Sequence, residues 1–231
     1  QEAIDLDENV DQIKGISVEQ AMLVIDEAAS LHATWWENPD LNNLSWLPGP
    51  EQRKNSLSII ADAGWEPLCE MLEGELTEQE ISFGTEITQK VGEMLDLLSN
   101  HPKTLIHSDL RADNLLFDRE GNKVFIVDWQ GTSTGPAGWD LAYFMSQSLS
   151  VETRRKNEAM LLDRYMESLK ETGKNLDPAE ALAGYADSML YGLVVACSLP
   201  LISDENEKRV KELASVMTRR SFEAMKDHNK F

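Results

Sequence analysis

The stretch that decides the fold is IHSDLRADNLLFDREGNKVFIVDWQ, residues 106–130. Two short runs of apolar, β-branched and aromatic residues, 115–117 and 123–127, flank the polar turn DREGN. This pattern predicts a β-hairpin. Because the two strands run antiparallel, the hairpin brings the polar residues at its ends, Asn114 and Asp128, towards each other.

The polar residues before and after this hairpin suit phosphoryl transfer. They read H-x-D-x-x-x-x-N from His107 to Asn114, and Asp128 follows fourteen positions later. Transfer of a phosphoryl group needs alignment and neutralised charge more than covalent help. Asp109 would accept the proton of an attacking hydroxyl group. Asn114 and Asp128 would offer the hard oxygen ligands that Mg²⁺ prefers.

This segment resembles the catalytic loop and metal-binding Asp of the protein-kinase-like fold, and within that fold it is similar to the aminoglycoside phosphotransferase and choline-kinase-like families. The similarity continues downstream through GWDLA at 138–142 and upstream through LHATWW at 31–36. The resemblance implies an enzyme that uses ATP and Mg²⁺ to phosphorylate the hydroxyl group of a small molecule. It also implies a mainly α (α+β) fold, a kinase-like C-terminal helical lobe whose small central β-hairpin carries the catalytic and metal-binding loops.

The resemblance assigns a role to each of these polar residues. Asp109 takes the part of catalytic base, and Asn114 and Asp128 bind the nucleotide's magnesium. His107 orders the loop, and Asp140 braces it by accepting backbone hydrogen bonds. Two other loop residues keep two interpretations each. Arg111 either touches the transferring phosphate or pairs with Asp113, and Asp113 either caps the loop or contacts substrate.

The rest of the chain is predicted to be largely helical. Ser17 and Gln20 form a capping box at the start of a helix that ends near Asn38, and Thr77 and Glu80 form a second one. Short strands are predicted at 104–106 and in the hairpin. The predicted helices cover 17–38, 51–72, 77–100, 139–149, 151–171, 178–196 and 204–226.

The 106 residues before His107 lack two parts that kinase-like enzymes place in an N-terminal lobe. No two glycines there lie close enough to form a phosphate-covering loop, and no lysine lies on a β-branched strand. The chain also begins with Gln1. We therefore expect a linker or surface strand at 1–16 and a kinase-like C-terminal lobe at 17–231, with its catalytic segment at 104–144 and with the N-terminal lobe absent. Alone, such a lobe would have little ATP-dependent activity, and its exposed face would meet the missing lobe or self-associate.

Composition limits the partners of this chain. With 21 basic and 41 acidic residues its net charge is −20, which argues against binding nucleic acid or anionic membranes and favours a cationic or sugar-like acceptor. No apolar run is long enough for a transmembrane helix. Two cysteines without metal-ligand spacing fit a reducing cytoplasm. The alternative functions are a non-catalytic kinase-like binding module and, with less support, a metal-dependent hydrolase.

Overall fold

The computed structural model describes residues 6–7, 10–118, 120, 122–202 and 208–230. The described residues form nine α-helices and five short strands. The helices are α1 Val18–Trp35, α2 Pro50–Met71, α3 Glu78–Thr88, α4 Val91–Ser99, α5 Ala137–Ser148, α6 Val151–Glu171, α7 Pro178–Ala181, α8 Tyr191–Ile202 and α9 Lys208–Asp227. The strands are β1 Leu6–Asp7, β2 Thr104–Ile106, β3 Leu115–Asp118, β4 Val124–Ile126 and β5 Ser133–Gly135. The predicted mainly helical architecture with a small central hairpin is confirmed.

Helix α5 is the centre of the molecule. All twelve of its residues are buried, as expected for a helix that is packed on every side. It contacts α1, α6, α8, α9 and strand β2. Around it, α1 packs along α6, α2 packs along α4 and α8, and α8 packs against α9. The first turn of α5 carries Asp140, so this carboxylate is fixed inside the core.

The strands form two small antiparallel sheets on one side of the helical body. Strands β1, β3 and β4 make one sheet, with Leu116 opposite Phe125 in the predicted hairpin. Strands β2 and β5 make the other, with Leu105 opposite Thr134. The sequence analysis missed β5, because a three-residue strand between Gly131 and Pro136 is stabilised by its pairing with a distant strand rather than by its own propensity.

Two predicted helices are each divided in the structure. The helix predicted at 77–100 is α3 followed by α4, because the chain tightens at Lys90, whose N–H donates to the carbonyl of Ile87, three residues back. The helix predicted at 178–196 is α7, a 3₁₀ turn and α8. Gly184 lies between them with φ +75°, a left-handed conformation that a right-handed helix cannot include.

The predicted leader packs against the body from residue 10 onwards. Gln12 is fully buried, and the Ile16 N–H donates to the carbonyl of Ser148 at 2.9 Å. The Arg220 guanidinium donates to the carbonyl of Gln12 at 2.7 Å. Within the described residues, no helix is long and apolar enough to cross a bilayer.

Candidate active site

Asp140 holds the loop that precedes the hairpin. Its buried carboxylate accepts the backbone N–H of His107 at 2.7 Å and that of Ser108 at 2.8 Å. Ser108 has φ +65°, a left-handed conformation that costs a non-glycine residue free energy. The two hydrogen bonds to Asp140 offset that cost, so the loop has one defined shape.

His107 connects the same loop to the end of the hairpin. Its Nδ1 accepts the N–H of Asp109 at 3.2 Å, so its Nε2 carries the proton and donates to the carbonyl of Val127 at 3.0 Å. The imidazole also packs edge-on against Trp129, with ring centroids 4.8 Å apart. His107 therefore fixes the distance between the Asp109 loop and the residues around Asp128.

The Asp109 carboxylate is held by neighbours on its own loop and is open to solvent. One oxygen accepts the Arg111 Nε–H at 3.0 Å, and the other accepts the Asn114 amide N–H at 2.8 Å. The side chain is 29 % exposed, so a substrate hydroxyl can reach it. Below it lies buried Tyr143, whose pKa is raised well above its usual value by burial and by the Asp109 carboxylate. Tyr143 therefore stays neutral and does not compete for the proton.

Arg111 forms ion pairs with two carboxylates of its own loop, those of Asp109 and Asp113. Its Nη1 donates to Asp113 at 3.1 Å and to the Gln12 side chain at 2.6 Å, in addition to the bond from Nε to Asp109. Both neighbouring carboxylates raise the pKa of Arg111 although burial opposes them. Asp113 in turn accepts the backbone N–H of Gln12 at 2.9 Å. For Arg111 the structure contains the pairing with Asp113, while Asp113 binds the backbone of Gln12 in the N-terminal segment rather than capping its own loop.

Asn114 and Asp128 are brought together by the hairpin. The carbonyl of Asn114 accepts the Val127 N–H at 3.0 Å, which places Asp128 one residue away. The Asn114 amide uses its N–H groups on Asp109, so its oxygen is left for a cation. Asp128 is exposed in a left-handed conformation with φ +63°, and within the described part of the chain its carboxylate has a single long contact, 3.5 Å, from Gln130.

This pair of oxygen ligands fits Mg²⁺, which binds through one or two protein oxygens and keeps several waters. Among the residues that the structure describes, no three His, Cys, Asp or Glu side chains are arranged to hold a metal ion. A catalytic metal held by a dense His and Asp ligand set, as the hydrolase interpretation requires, has no support in these ranges.

Sequence reasoning missed three contributors to the site. His32 is buried, its Nε2 lies 3.4 Å from the Asp140 carboxylate and its Nδ1 lies 3.0 Å from the Tyr165 hydroxyl. Ser133 hydrogen-bonds through its hydroxyl to that of Ser108. Arg53 donates to the carbonyl of Gly131. The LHA motif at 31–33 was a signal for His32, whereas nothing in the sequence around Arg53 indicated its position.

A cleft of about 500 Å³ lies between the segment that joins α1 to α2 and strand β5, and Asp109, Asn114 and Asp128 are not among its lining residues. The segment between α1 and α2 and the start of α2 line most of it, and Thr134 of β5 contributes from the side of the catalytic loop. Trp46, which is 71 % exposed, stands at the cleft together with Glu37 and Glu51. Its volume suits a small molecule.

Comparisons with known proteins show the family and the fold of this chain. The sequence profile of the Ecdysteroid kinase-like family matches residues 8–177. The chain belongs to this family. A kinase-like protein of Caenorhabditis elegans is 28 % identical over 178 residues, which is 70 % of this chain and 44 % of that protein. The 4-hydroxytryptamine kinase of Psilocybe cubensis is 30 % identical over 106 residues, 42 % of this chain and 29 % of that kinase. The chain thus spans less than half the length of these two relatives.

Solved structures show the same fold for this member of the Ecdysteroid kinase-like family. An aminoglycoside phosphotransferase from Alicyclobacillus acidocaldarius superposes with a TM-score of 0.55 at 13 % identity, covering 99 % of this chain and 70 % of that one. A choline kinase from Streptococcus pneumoniae gives 0.53 at 16 % identity, covering 94 % and 66 %. An ethanolamine kinase from Plasmodium vivax gives 0.50 at 13 % identity, covering 93 % and 62 %. The suspected resemblance to aminoglycoside phosphotransferases and choline-kinase-like enzymes is confirmed at the level of fold.

Proposed function

We propose that the full-length protein containing this chain transfers the terminal phosphoryl group of ATP to the hydroxyl group of a small molecule. The observation that carries the proposal is the Asp109 carboxylate, which is oriented by Arg111 and Asn114 and still open to solvent. Asp109 accepts the hydroxyl proton as the new oxygen–phosphorus bond forms and ADP leaves. Arg111 positions Asp109, while His107 and Asp140 hold the loop.

Asn114 and Asp128 hold magnesium in this proposal. When bound, the ion neutralises the charge of the nucleotide phosphates and aligns them for transfer. Two observations support this assignment. The amide N–H groups of Asn114 are used on Asp109, which leaves its amide oxygen available, and the exposed Asp128 follows Val127, whose N–H donates to the carbonyl of Asn114.

The acceptor occupies the cleft beside α2 and reaches Asp109 with its hydroxyl group. Glu37, Glu51 and Trp46 line the cleft and favour a cationic or sugar-like group. The excess of acidic residues points the same way. The names of a 4-hydroxytryptamine kinase, a choline kinase and an ethanolamine kinase describe acceptors that carry an amine or a quaternary ammonium group. Free thiols at Cys69 and Cys197 are in keeping with a reducing cytoplasm as the location.

Acceptor-dependent ADP release is the direct test of this function. We expect the full-length protein with Mg-ATP to release ADP only when a suitable hydroxyl compound is added, because water alone is a poorly positioned acceptor. A panel of amino alcohols, hydroxylated aromatic amines, amino sugars and uncharged sugars would be assayed, with the phosphorylated product identified by mass spectrometry. Failure across a broad panel, with nucleotide still bound, would favour the non-catalytic binding module.

We also propose that residues 1–231 alone bind Mg-ATP weakly. The support is the lack of a glycine-rich loop and strand lysine before His107, so that the nucleotide has ligands on one side only. Isothermal titration of this chain with Mg-ATP should show no heat at micromolar nucleotide. Circular dichroism and a cooperative thermal transition on the same sample would establish that it is folded. Micromolar affinity of a folded sample would refute the proposal.

A further inference from the structure

Arg53 is a cation without a carboxylate partner among the described residues. Of the seven other described arginines, five form ion pairs with carboxylates, Arg220 is held by backbone carbonyls, and Arg219 is exposed on α9; the five are Arg111, Arg154, Arg155, Arg164 and Arg209. Over the ranges that the structure describes, Arg53 has no carboxylate within ion-pairing distance, in a chain with a net charge of −20. Its guanidinium donates to the carbonyl of Gly131, and its Nε is buried without a hydrogen-bond partner.

Arg53 as a whole is half-buried, but its enclosed Nε–H has no acceptor among the described residues, and an enclosed donor without an acceptor is costly and calls for an explanation. A guanidinium has five N–H donors in a flat fork, and that geometry matches the oxygens of a phosphoryl group. The protein keeps this charge where it pairs with no acid, which is the arrangement expected if its partner arrives with the substrate.

Arg53 lies directly beside the catalytic loop. A Cβ placed on Gly131 would lie 3.7 Å from the Cβ of Asp109 and 3.4 Å from the carbonyl oxygen of His107. Gly131, the residue that Arg53 contacts, therefore lies next to the loop that carries Asp109. Buried Tyr191 lies within the electrostatic reach of both charges: burial raises its pKa, the Arg53 guanidinium opposes this, and the Asp109 carboxylate adds to it. Glu51 and Gln52, which precede Arg53 in α2, line the cleft, and the Arg53 guanidinium contacts Gly131 beside the catalytic loop.

We propose that Arg53 binds the oxygens of the phosphoryl group as it passes from ATP to the acceptor. This inference rests on the proposed function. In the transfer, the acceptor oxygen bonds to the terminal phosphorus and its proton passes to Asp109. The bond from that phosphorus to the bridging oxygen breaks, and its electron pair leaves with ADP. Arg53 neutralises charge on the three oxygens of the moving group, a role for which Arg111 is less suited because Asp109 and Asp113 already hold it.

The test compares three variants of the full-length protein. Arg53→Gln removes the charge but keeps an N–H donor for the carbonyl of Gly131, so the fold should be retained. Arg53→Lys restores a charge without the fork. Arg219→Met is the matched control, because it removes one positive charge from an exposed position on α9. Thermal unfolding of all three would verify folding.

We expect Arg53→Gln to lower kcat by about 100-fold or more, the usual loss for one donor to developing charge, with the acceptor KM changed by less than about threefold. Arg53→Lys should recover part of kcat, and Arg219→Met should match the unmodified protein. Titration with inorganic phosphate, followed by the ³¹P line width, should show binding that Arg53→Gln loses and Arg219→Met keeps.

The possible outcomes separate this inference from the function on which it rests. Normal kcat and normal phosphate binding in a folded Arg53→Gln protein would overturn the assignment of Arg53 while leaving the kinase function intact. If the unmodified protein transfers no phosphoryl group, the proposed function fails, and the phosphate titration alone then decides whether Arg53 binds a phosphoryl anion. If Arg53→Gln does not fold, kcat and phosphate binding are measured on Arg53→Lys instead. A lysine variant with the kcat and the phosphate binding of the unmodified protein would overturn the proposal that the guanidinium fork of Arg53 binds the phosphoryl oxygens.

Discussion

Replacing Asp109 with alanine should abolish turnover of the full-length protein and leave Mg-ATP binding largely intact. The expected fall in kcat is at least ~10³-fold, within the range attributed to a positioned general base. Nucleotide affinity should change by less than about threefold, because Asn114 and Asp128 are the proposed magnesium ligands. The rate of ADP release and isothermal titration with Mg-ATP measure the two effects separately.

The structural cost of this replacement is small. Arg111 loses one partner but keeps Asp113 and Gln12, and the Asp109 side chain is already 29 % exposed. The loss in the free energy of unfolding should therefore stay at about 1 kcal/mol, as for other partly exposed ion pairs. The matched control is Asp113→Asn, which changes a carboxylate on the same loop that contacts Arg111 and the backbone of Gln12. It should retain most of kcat. The assignment of Asp109 as the catalytic base would be contradicted if Asp109→Ala still turned over, or if it lost nucleotide binding instead of turnover.

The sequence predicted best what is encoded locally. The capping box of Ser17 and Gln20 correctly located the start of α1, because both partners lie within one helical turn. The hairpin was likewise predicted, since β-branched strands and the polar turn are adjacent in the chain. From this hairpin alone follows the proximity of Asn114 to Asp128.

What the sequence could not predict depends on distant contacts. Strand β5 exists through its pairing with β2, and the division at Gly184 depends on a positive φ that the fold imposes. Arg53 reaches Gly131 across 78 positions. In each case the deciding partner is remote in sequence, so periodicity and capping gave no information about it.

The second large effect is expected at Asp140, and it concerns stability. Asp140→Ala leaves the buried N–H groups of His107 and Ser108 without an acceptor and removes the carboxylate beside His32. An unsatisfied buried donor costs about 1–3 kcal/mol, so with two of them the free energy of unfolding should fall by about 3–5 kcal/mol. Urea denaturation of the purified chain, followed by circular dichroism, measures this change.

The appropriate control for Asp140 is an exposed aspartate that also forms an ion pair. Asp96 lies on the surface of α4 and pairs with Lys54 of α2, and the side chains of Asp96 and Lys54 are about half exposed. Asp96→Ala removes this ion pair. Its effect should be within about 0.5 kcal/mol. Asp140→Asn keeps one acceptor oxygen for one of the two N–H groups and should fall between the two alanine variants. The same hydrogen bonds hold the φ of Ser108 and therefore the position of Asp109, which follows it. Asp140→Asn should therefore also lower kcat in the full-length protein, while the compound that is phosphorylated stays the same. Equal unfolding midpoints for Asp140→Ala and Asp96→Ala would show that the loop is held by something other than this carboxylate.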